Sequence, residues 1–388
     1  MTTSMRCLSL LSLVAAVCFP SHAQADAFDR RSQALKAAAA RGDRSAMVGL
    51  GELHVGRGWD GGGFVRDPKQ GVAWLSKAAL LGEPAGMDRL GQLLLRGVER
   101  TVGERKVVVL ERNDEEGLRW VRKAESLGFA RASHRLGNHY WSGVAVPKDR
   151  ERALAQYLRA ANEGRAAAMG ALARGYLKTG RTREGLTWLG RAAEQGYPRA
   201  MVELADAYLK RPNGDAKAAA RLYKRAGEAG YPAGYMKLGL LYRVGKGVPA
   251  DRARAASLFR RVATQLPHQA AYLYGLCLLD GDGVRKDPAG AERWLRMGVI
   301  NHVPEALFTY ARCLERGTFG SGLSSAVPSG PRGLQPSPLE SEYVRLYREA
   351  AAFGEPRARR ALARLKQPRP TAKVPRPTFS DGWDVNDL

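Results

Sequence analysis

The sequence predicts an all-α fold, an α-solenoid superhelix of about eight helix-turn-helix repeats with capping helices. Three observations predict it. A small residue recurs at intervals near 36 along the 388-residue chain. Large and small residues follow it at fixed offsets, and Gly, in several units with Pro two residues beyond, closes most units. Self-similarity at such a period is the mark of stacked supersecondary units, none of which can bury its apolar face alone.

The unit starts are Ala46, Gly86, Ala132, Ala168, Ala200, Gly234, Ala270 and Ala306, separated by 40, 46, 36, 32, 34, 36 and 36 residues. Four residues after each stands Leu50, Leu90, Leu136, Leu172, Leu204, Leu238, Tyr274 or Tyr310, followed at once by Gly or Ala. Tyr140, Tyr176, Tyr208 and Tyr242 stand three residues further on. This spacing is one face of a helix, with small residues permitting close approach. A Gly-rich turn follows, as in Gly245-Lys246-Gly247-Val248 and Gly281-Asp282-Gly283-Val284. A second amphipathic helix carries Trp74, Trp120, Trp188 or Trp294, or Leu222, Leu258 or Leu346, at one position, then paired alanines. Gly82, Gly128, Gly164, Gly196, Gly230 and Gly354 end it, with Pro84, Pro198, Pro232, Pro304 or Pro356 beyond.

The ends continue the same pattern. Residues 26–45 are expected to form an N-terminal capping helix, 46–356 the eight repeats and 357–367 a C-terminal capping helix. Insertions interrupt the units at 56–67, 96–113 and 318–338. In the second of these, Lys106–Leu110 reads as extended, one arm of a hairpin. Residues 368–388 read as a disordered, Pro-rich basic tail ending in Phe379-Ser380-Asp381-Gly382-Trp383-Asp384.

The pattern A-x-x-x-L-G-x-x-Y, G-x-G-V, W-x-x-x-A-A-x-x-G, met closely by residues 132–164 and 270–302, resembles the Sel1-like repeats, relatives of the tetratricopeptide repeats. The resemblance spans residues 27–367 and implies an α-solenoid that binds other proteins.

Met1–Arg6 is a short basic start, Leu8–Phe19 an apolar run, and Ala23-Gln24-Ala25 a small-x-small site. Residues 1–25 therefore read as a cleaved signal peptide, and the chain as periplasmic without a transmembrane segment. Two cysteines follow it, Cys277 and Cys313, at equivalent positions of neighbouring units. Equivalent sites in stacked helical repeats lie too far apart for a disulfide, so two free, partly buried thiols are expected.

Chemical motifs are sparse. Gly56-x-Gly58-x-x-Gly61 matches a dinucleotide fingerprint by letter but follows a helix, without a βαβ unit around it. Asp280-Gly281-Asp282-Gly283 starts like a calcium loop, yet Ala291 stands where a glutamate ligand belongs. His134 and His139 are five apart, off the i, i+4 spacing of a helical metal pair. No catalytic constellation is recognisable, so no enzyme activity, cofactor or metal is expected.

The formal charge is +24, which points to an anionic partner. Export argues against nucleic acid and leaves an acidic protein, a polymer or lipid headgroups. Residues 210–261 hold 13 basic and three acidic residues, and 357–376 hold eight basic and no acidic ones. The candidate partner-binding residues are Lys217, Arg221, Lys224, Arg225, Arg243, Lys246, Arg252 and Arg254, with Trp59, Arg105 and Lys106 from the insertions. The function expected is that of a non-catalytic, periplasmic, monomeric protein-binding protein with an acidic protein partner. Family resemblance adds one form, an immunity protein neutralising a secreted (type VI) phospholipase-type effector. A scaffold or regulator of exopolysaccharide export or envelope signalling, and a direct binder of an anionic polymer, stay open beside it.

Overall fold

The computed structural model describes residues 22–55, 67–102, 105–211, 214–319 and 341–365. Most of the expected signal peptide, all of the first insertion but Asp67, nearly all of the third and the basic tail lie outside them. The described residues form 18 helices and one two-stranded hairpin. The helices are α1 (His22–Ala40), α2 (Arg44–Val55), α3 (Pro68–Leu80), α4 (Pro84–Arg96), α5 (Asp114–Ser126), α6 (Ala130–Ser142), α7 (Arg150–Asn162), α8 (Ala166–Lys178) and α9 (Thr182–Glu194). They continue as α10 (Pro198–Lys210), α11 (Ala216–Glu228), α12 (Pro232–Val244), α13 (Arg252–Val262), α14 (Ala270–Asp280), α15 (Pro288–Ile300), α16 (Pro304–Glu315), α17 (Glu342–Ala352) and α18 (Pro356–Leu365). The chain divides into two compact units, residues 1–185 and 186–388. Within each, consecutive helices pack as antiparallel hairpins, the all-α solenoid predicted.

Local chemistry fixes each helix end. Second helices start on an Asp or Asn whose carboxylate or amide oxygen accepts from the first-turn N–H groups: Asp67, Asn113, Asp149, Asp215, Asp251 and Asp287. They end on a residue in the left-handed region, Gly82, Gly128, Gly164, Gly196, Gly230 or Gly354, with φ between 77° and 96°. His302 takes that place after α15 with φ 54°, held by Nδ1 against the Glu349 carboxylate and by its ring 5.7 Å from Phe353.

First helices α6, α12 and α14 end on left-handed Gly143, Gly245 and Gly281. The next glycine but one serves a different purpose. A Cβ on Gly247 would stand 2.3 Å from the Ala216 carbonyl carbon, and one on Gly283 2.1 Å from the Arg252 carbonyl oxygen. Each turn is thus seated on the start of the preceding second helix. In the third hairpin Ala145 stands at this position and carries the left-handed φ of 64° itself.

The second insertion forms the expected hairpin: β1 (Val98–Val102) pairs antiparallel with β2 (Arg105–Leu110), with an irregularity at Val98/Glu99. Val98 is buried and Val109 and Leu110 pack on the core, while Val107 and Val108 stay exposed. The N-terminal helix starts at His22, four residues before the expected capping segment.

Unit 2 holds one continuous apolar cluster running from Tyr235 to Ala358, centred on α14, whose residues Ala270–Leu279 are all buried. Cys277 and Cys313 lie in it, both free and fully buried, and burial pushes each thiol up to about 12. Unit 1 has two smaller clusters. It is also stitched by a buried ion pair: Arg135 on α6 forks onto Asp88 on α4, Nε to Oδ1 at 2.7 Å and Nη2 to Oδ2 at 3.0 Å.

Candidate functional site

The longer of the two basic runs of the sequence becomes, in part, an exposed face of α11 and α13 in unit 2. Asp215 caps α11 by accepting from the Ala218 N–H at 2.8 Å. Tyr223 points inward, fully buried, its hydroxyl donating to Asp206, which also takes the Lys237 ammonium at 2.9 Å. Burial, reinforced by the Asp206 carboxylate, raises the Tyr223 phenol far above its usual range. With Tyr223 held inside, Lys217, Arg221, Lys224 and Arg225 face solvent. Their pairings there are loose: Arg221 is 3.9 Å from Asp215 and Lys224 3.7 Å from Glu228, both at exposed sites. Such pairs contribute about 0–1 kcal/mol, so the positive field remains. Arg225 also reaches the Ala193 carbonyl at 3.4 Å.

α13 repeats the arrangement. Asp251 caps it, Phe259 is buried and packs where Gly239 of α12 leaves room, and Arg252 and Arg254 are exposed. The seated turn at Gly247, which follows half-buried Lys246, lies against Ala216, the first residue of α11. The three acids of the segment, Asp215, Glu228 and Asp251, all have cap or pair partners.

Not every predicted cation is available. Arg243 is half-buried in an ion pair with Asp282, Nε to Oδ2 at 2.9 Å, and so braces the next hairpin's turn instead of presenting a free charge. Arg252 approaches the other oxygen of Asp282 at 3.4 Å while staying largely exposed. The guanidinium of Arg254 lies 4.8 Å over the Tyr242 ring, a cation–π contact that orders it without neutralising it. Arg105 and Lys106 stand at the start of β2 in unit 1, so the two sets do not share a unit. Trp59 lies outside the described residues.

Sequence reading missed a second group of cations, the half-buried Arg89, Arg135, Arg165 and Arg174 of unit 1. Repeat-length gaps separate most of them, so no charge window finds them. Their one sequence signal is that Arg89 and Arg135 share an offset, three residues after their unit starts. Among the described residues no group of three or more His, Cys, Asp and Glu side chains is placed to hold a metal ion. No helix among them is long and apolar enough to cross a membrane.

Comparison with known proteins agrees with the architecture. The Sel1 repeat pattern matches residues 44–83, 84–129, 130–164, 166–197, 198–231, 232–265 and 268–298. The chain belongs to the Sel1 repeat family, whose repeats mediate protein–protein interaction. The eighth hairpin, α16 with α17, is a helical pair in the structure but is not among those segments. Among solved structures, the chain is similar to a protective antigen of uropathogenic Escherichia coli strains displaying an SLR fold, at 22% identity and TM-score 0.60, over 86% of this chain and 67% of that one. It is also similar to a Sel1 repeat protein from Oxalobacter formigenes, at 23% identity and TM-score 0.55, over 86% and 89%. An immunity protein from Pseudomonas aeruginosa aligns over 53% of this chain and 82% of its own, at 24% identity and TM-score 0.38.

Proposed function

We propose that this chain is a non-catalytic protein-binding array that holds an acidic protein partner on the basic face of α11 and α13. One observation carries this reading: Lys217, Arg221, Lys224, Arg252 and Arg254 project from two consecutive hairpins, with half-buried Lys246 in the turn before α13, while the acids among them are occupied as caps or loose pairs. A surface of one sign steers and selects a partner of the other. Arg105 and Lys106 on the β hairpin, and Trp59, are secondary contacts in this reading.

The setting we propose is the periplasm, reached through the N-terminal signal segment, with the protein monomeric on its own. The specific form is an immunity protein that neutralises a secreted phospholipase-type effector, supported by the resemblance among exported Sel1-like proteins and by the basic face. A role in exopolysaccharide export or envelope signalling predicts a partner from that machinery instead. Direct binding of an anionic polymer predicts capture of uronate polysaccharide that falls steeply with salt.

The test is a pull-down from envelope extract with the wild-type chain and with the triple variant Arg221→Glu, Lys224→Glu, Arg225→Glu. The reading expects one main protein partner, lost or weakened at least tenfold in the variant, whose melting temperature stays within a few degrees of wild type. Unchanged capture by the variant would remove this face as the interface.

A further inference from the structure

Among the described residues, α18 is the one first helix with no second helix after it. The repeat itself shows what that leaves open. One place after the unit start the residue is buried elsewhere: Met47, Met87, Met169, Met201 and Leu307 hold that position. Five places after the start, Gly51, Gly91, Gly137, Gly239 and Gly275 are buried too. Each of these glycines faces the second helix of its own hairpin. A Cβ there would meet Leu75, Val121, Tyr157, Phe259 or Leu295 at 2.4–3.0 Å.

In α18 the unit start is Ala358, fully buried like its counterparts. The two seam positions are Arg359 and Ala363, and both are exposed. Leu362, whose counterparts Leu50, Leu136, Leu172 and Tyr310 are buried, is only half-buried. A terminal helix needs a polar outer face, and Arg359 supplies part of one. Leu362 and Ala363 nonetheless keep the large-small pair on which the complete hairpins close.

The charge on this helix is divided. Arg357 forks onto the buried Glu355 carboxylate, Nε to Oε1 at 2.7 Å and Nη2 to Oε2 at 3.0 Å, and Arg364 pairs with Glu315. Arg359 and Arg360 are exposed and have no ion pair among the described residues. Arg360 lies near Glu355, whose two oxygens are already taken.

The sequence after α18 matches this face. Residues 366–378 hold Lys366, Arg369, Lys373 and Arg376 and no acid. Residues 379–388 reverse the sign, with Asp381, Asp384 and Asp387, no Lys or Arg, and two aromatics, Phe379 and Trp383. The 13 residues between Leu365 and Phe379 span at most about 45 Å. A ten-residue helix such as α18 is about 15 Å long, so the acidic segment reaches back along all of it. A tether of this kind gives a local concentration of about a millimolar, so a weak contact suffices.

We propose that residues 379–388 of this chain dock on the open seam of α18, with Asp side chains on Arg359 and Arg360 and an aromatic ring over Leu362 and Ala363. The segment takes the place of the missing second helix and covers the end of the apolar cluster on which Leu362 and Leu365 pack. The contact is internal and does not rest on the acidic partner proposed for α11 and α13.

The experiment follows hydrogen exchange in the full chain and in a chain ending at Thr378. Docking expects α18 amides to exchange at least tenfold faster in the shorter chain, with α11 and α13 unchanged. A fluorescein-labelled, C-terminally amidated peptide of residues 377–388 is then titrated at low salt, read by anisotropy. It should bind the shorter chain, and bind the full chain at least fivefold more weakly because the chain's own segment competes. Arg359→Glu with Arg360→Glu in the shorter chain should weaken it at least tenfold, and a peptide with Asp381→Lys, Asp384→Lys and Asp387→Lys should recover binding to that variant. Should the variant not fold, the exchange footprint of the peptide on the unaltered shorter chain decides. Equal exchange of α18 in the two chains, or a peptide footprint on α11 and α13, overturns the proposal. So does sedimentation showing a dimer in both chains that Arg359→Glu dissolves, because a second copy then covers this face.

Discussion

The first helices of unit 1 and of unit 2 share a backbone and differ in what they place two, three and six residues after the unit start. Around α6 these positions hold Asp88, Arg89, His134, Arg135 and, on α8, Arg174; around α14 they hold Tyr272, Leu273, Leu276, Phe308 and Thr309. One set makes a half-buried ionic row, the other part of a continuous apolar cluster. Around α14 the seam keeps Tyr272 and Thr309, whose hydroxyls stand 3.4 Å apart, while elsewhere in unit 2 the same offsets hold the Asp206–Lys237 pair and Arg312. The repeat thus fixes the offsets that close each hairpin, Leu-Gly and the paired alanines, and leaves the others to be written as apolar core or as ionic contacts.

The comparison breaks most completely if unit 1 chemistry is moved into unit 2. Leu276→Arg places a guanidinium, as at Arg174, where the side chain is 2% exposed within the apolar cluster. We expect a loss above about 4 kcal/mol, seen as loss of the cooperative thermal transition or of soluble protein. Within unit 1, Arg135→Ala leaves Asp88 buried and unpaired and should cost about 3–5 kcal/mol. Replacing both partners, Asp88→Leu with Arg135→Met, should restore stability to within about 1–2 kcal/mol of wild type, measured by denaturant unfolding.

His134 sharpens the contrast through pH. Its folded-state value, about 4, lies below the ordinary value near 6.5. Between the two the unfolded chain binds the proton more readily, so stability is full above 6.5 and falls as pH drops toward 4. The expected loss is about 2–3 kcal/mol, and melting followed from pH 7 to 4 should show a flatter slope in His134→Gln. The smallest effect is a gain. Ala145→Gly relieves a left-handed backbone and should add about 1 kcal/mol. His302→Gly should not gain, because it discards the Glu349 and Phe353 contacts.

Most of the architecture is legible in the sequence because helix period, terminal Gly and following Pro are local. The extended arm at Lys106–Leu110 is legible for the same reason, its β-branched run being local too. The second-helix caps carry an equally local signal, Asp or Asn at six of the starts, which charge counting alone reads only as acid. The ionic row is another matter. Asp88 and Arg135 are 47 residues apart, and their meeting depends on how one hairpin seats on the next. A linear charge count picks out Lys217–Arg254 and includes Arg243, whose partner Asp282 is 39 residues distant and invisible to a window. Density finds exposed charge, and tertiary register decides which charges are enclosed.

The three-residue links that join a second helix to the next first helix, centred on Gly82, Gly128, Gly164, Gly196, Gly230, His302 and Gly354, admit no additional residue without displacing the following helix. All three insertions fall instead between the two helices of a single hairpin, after α2, after α4 and after α16. The array therefore has an editable margin and a tighter one, the latter relaxed at the seven-residue link 263–269 between α13 and α14. A reporter, an epitope or a cleavage site introduced at the tip of the β hairpin or within 320–340 should be carried without loss of fold, while the same cassette at Gly196 or Gly230 should sever the register of every hairpin that follows in its unit.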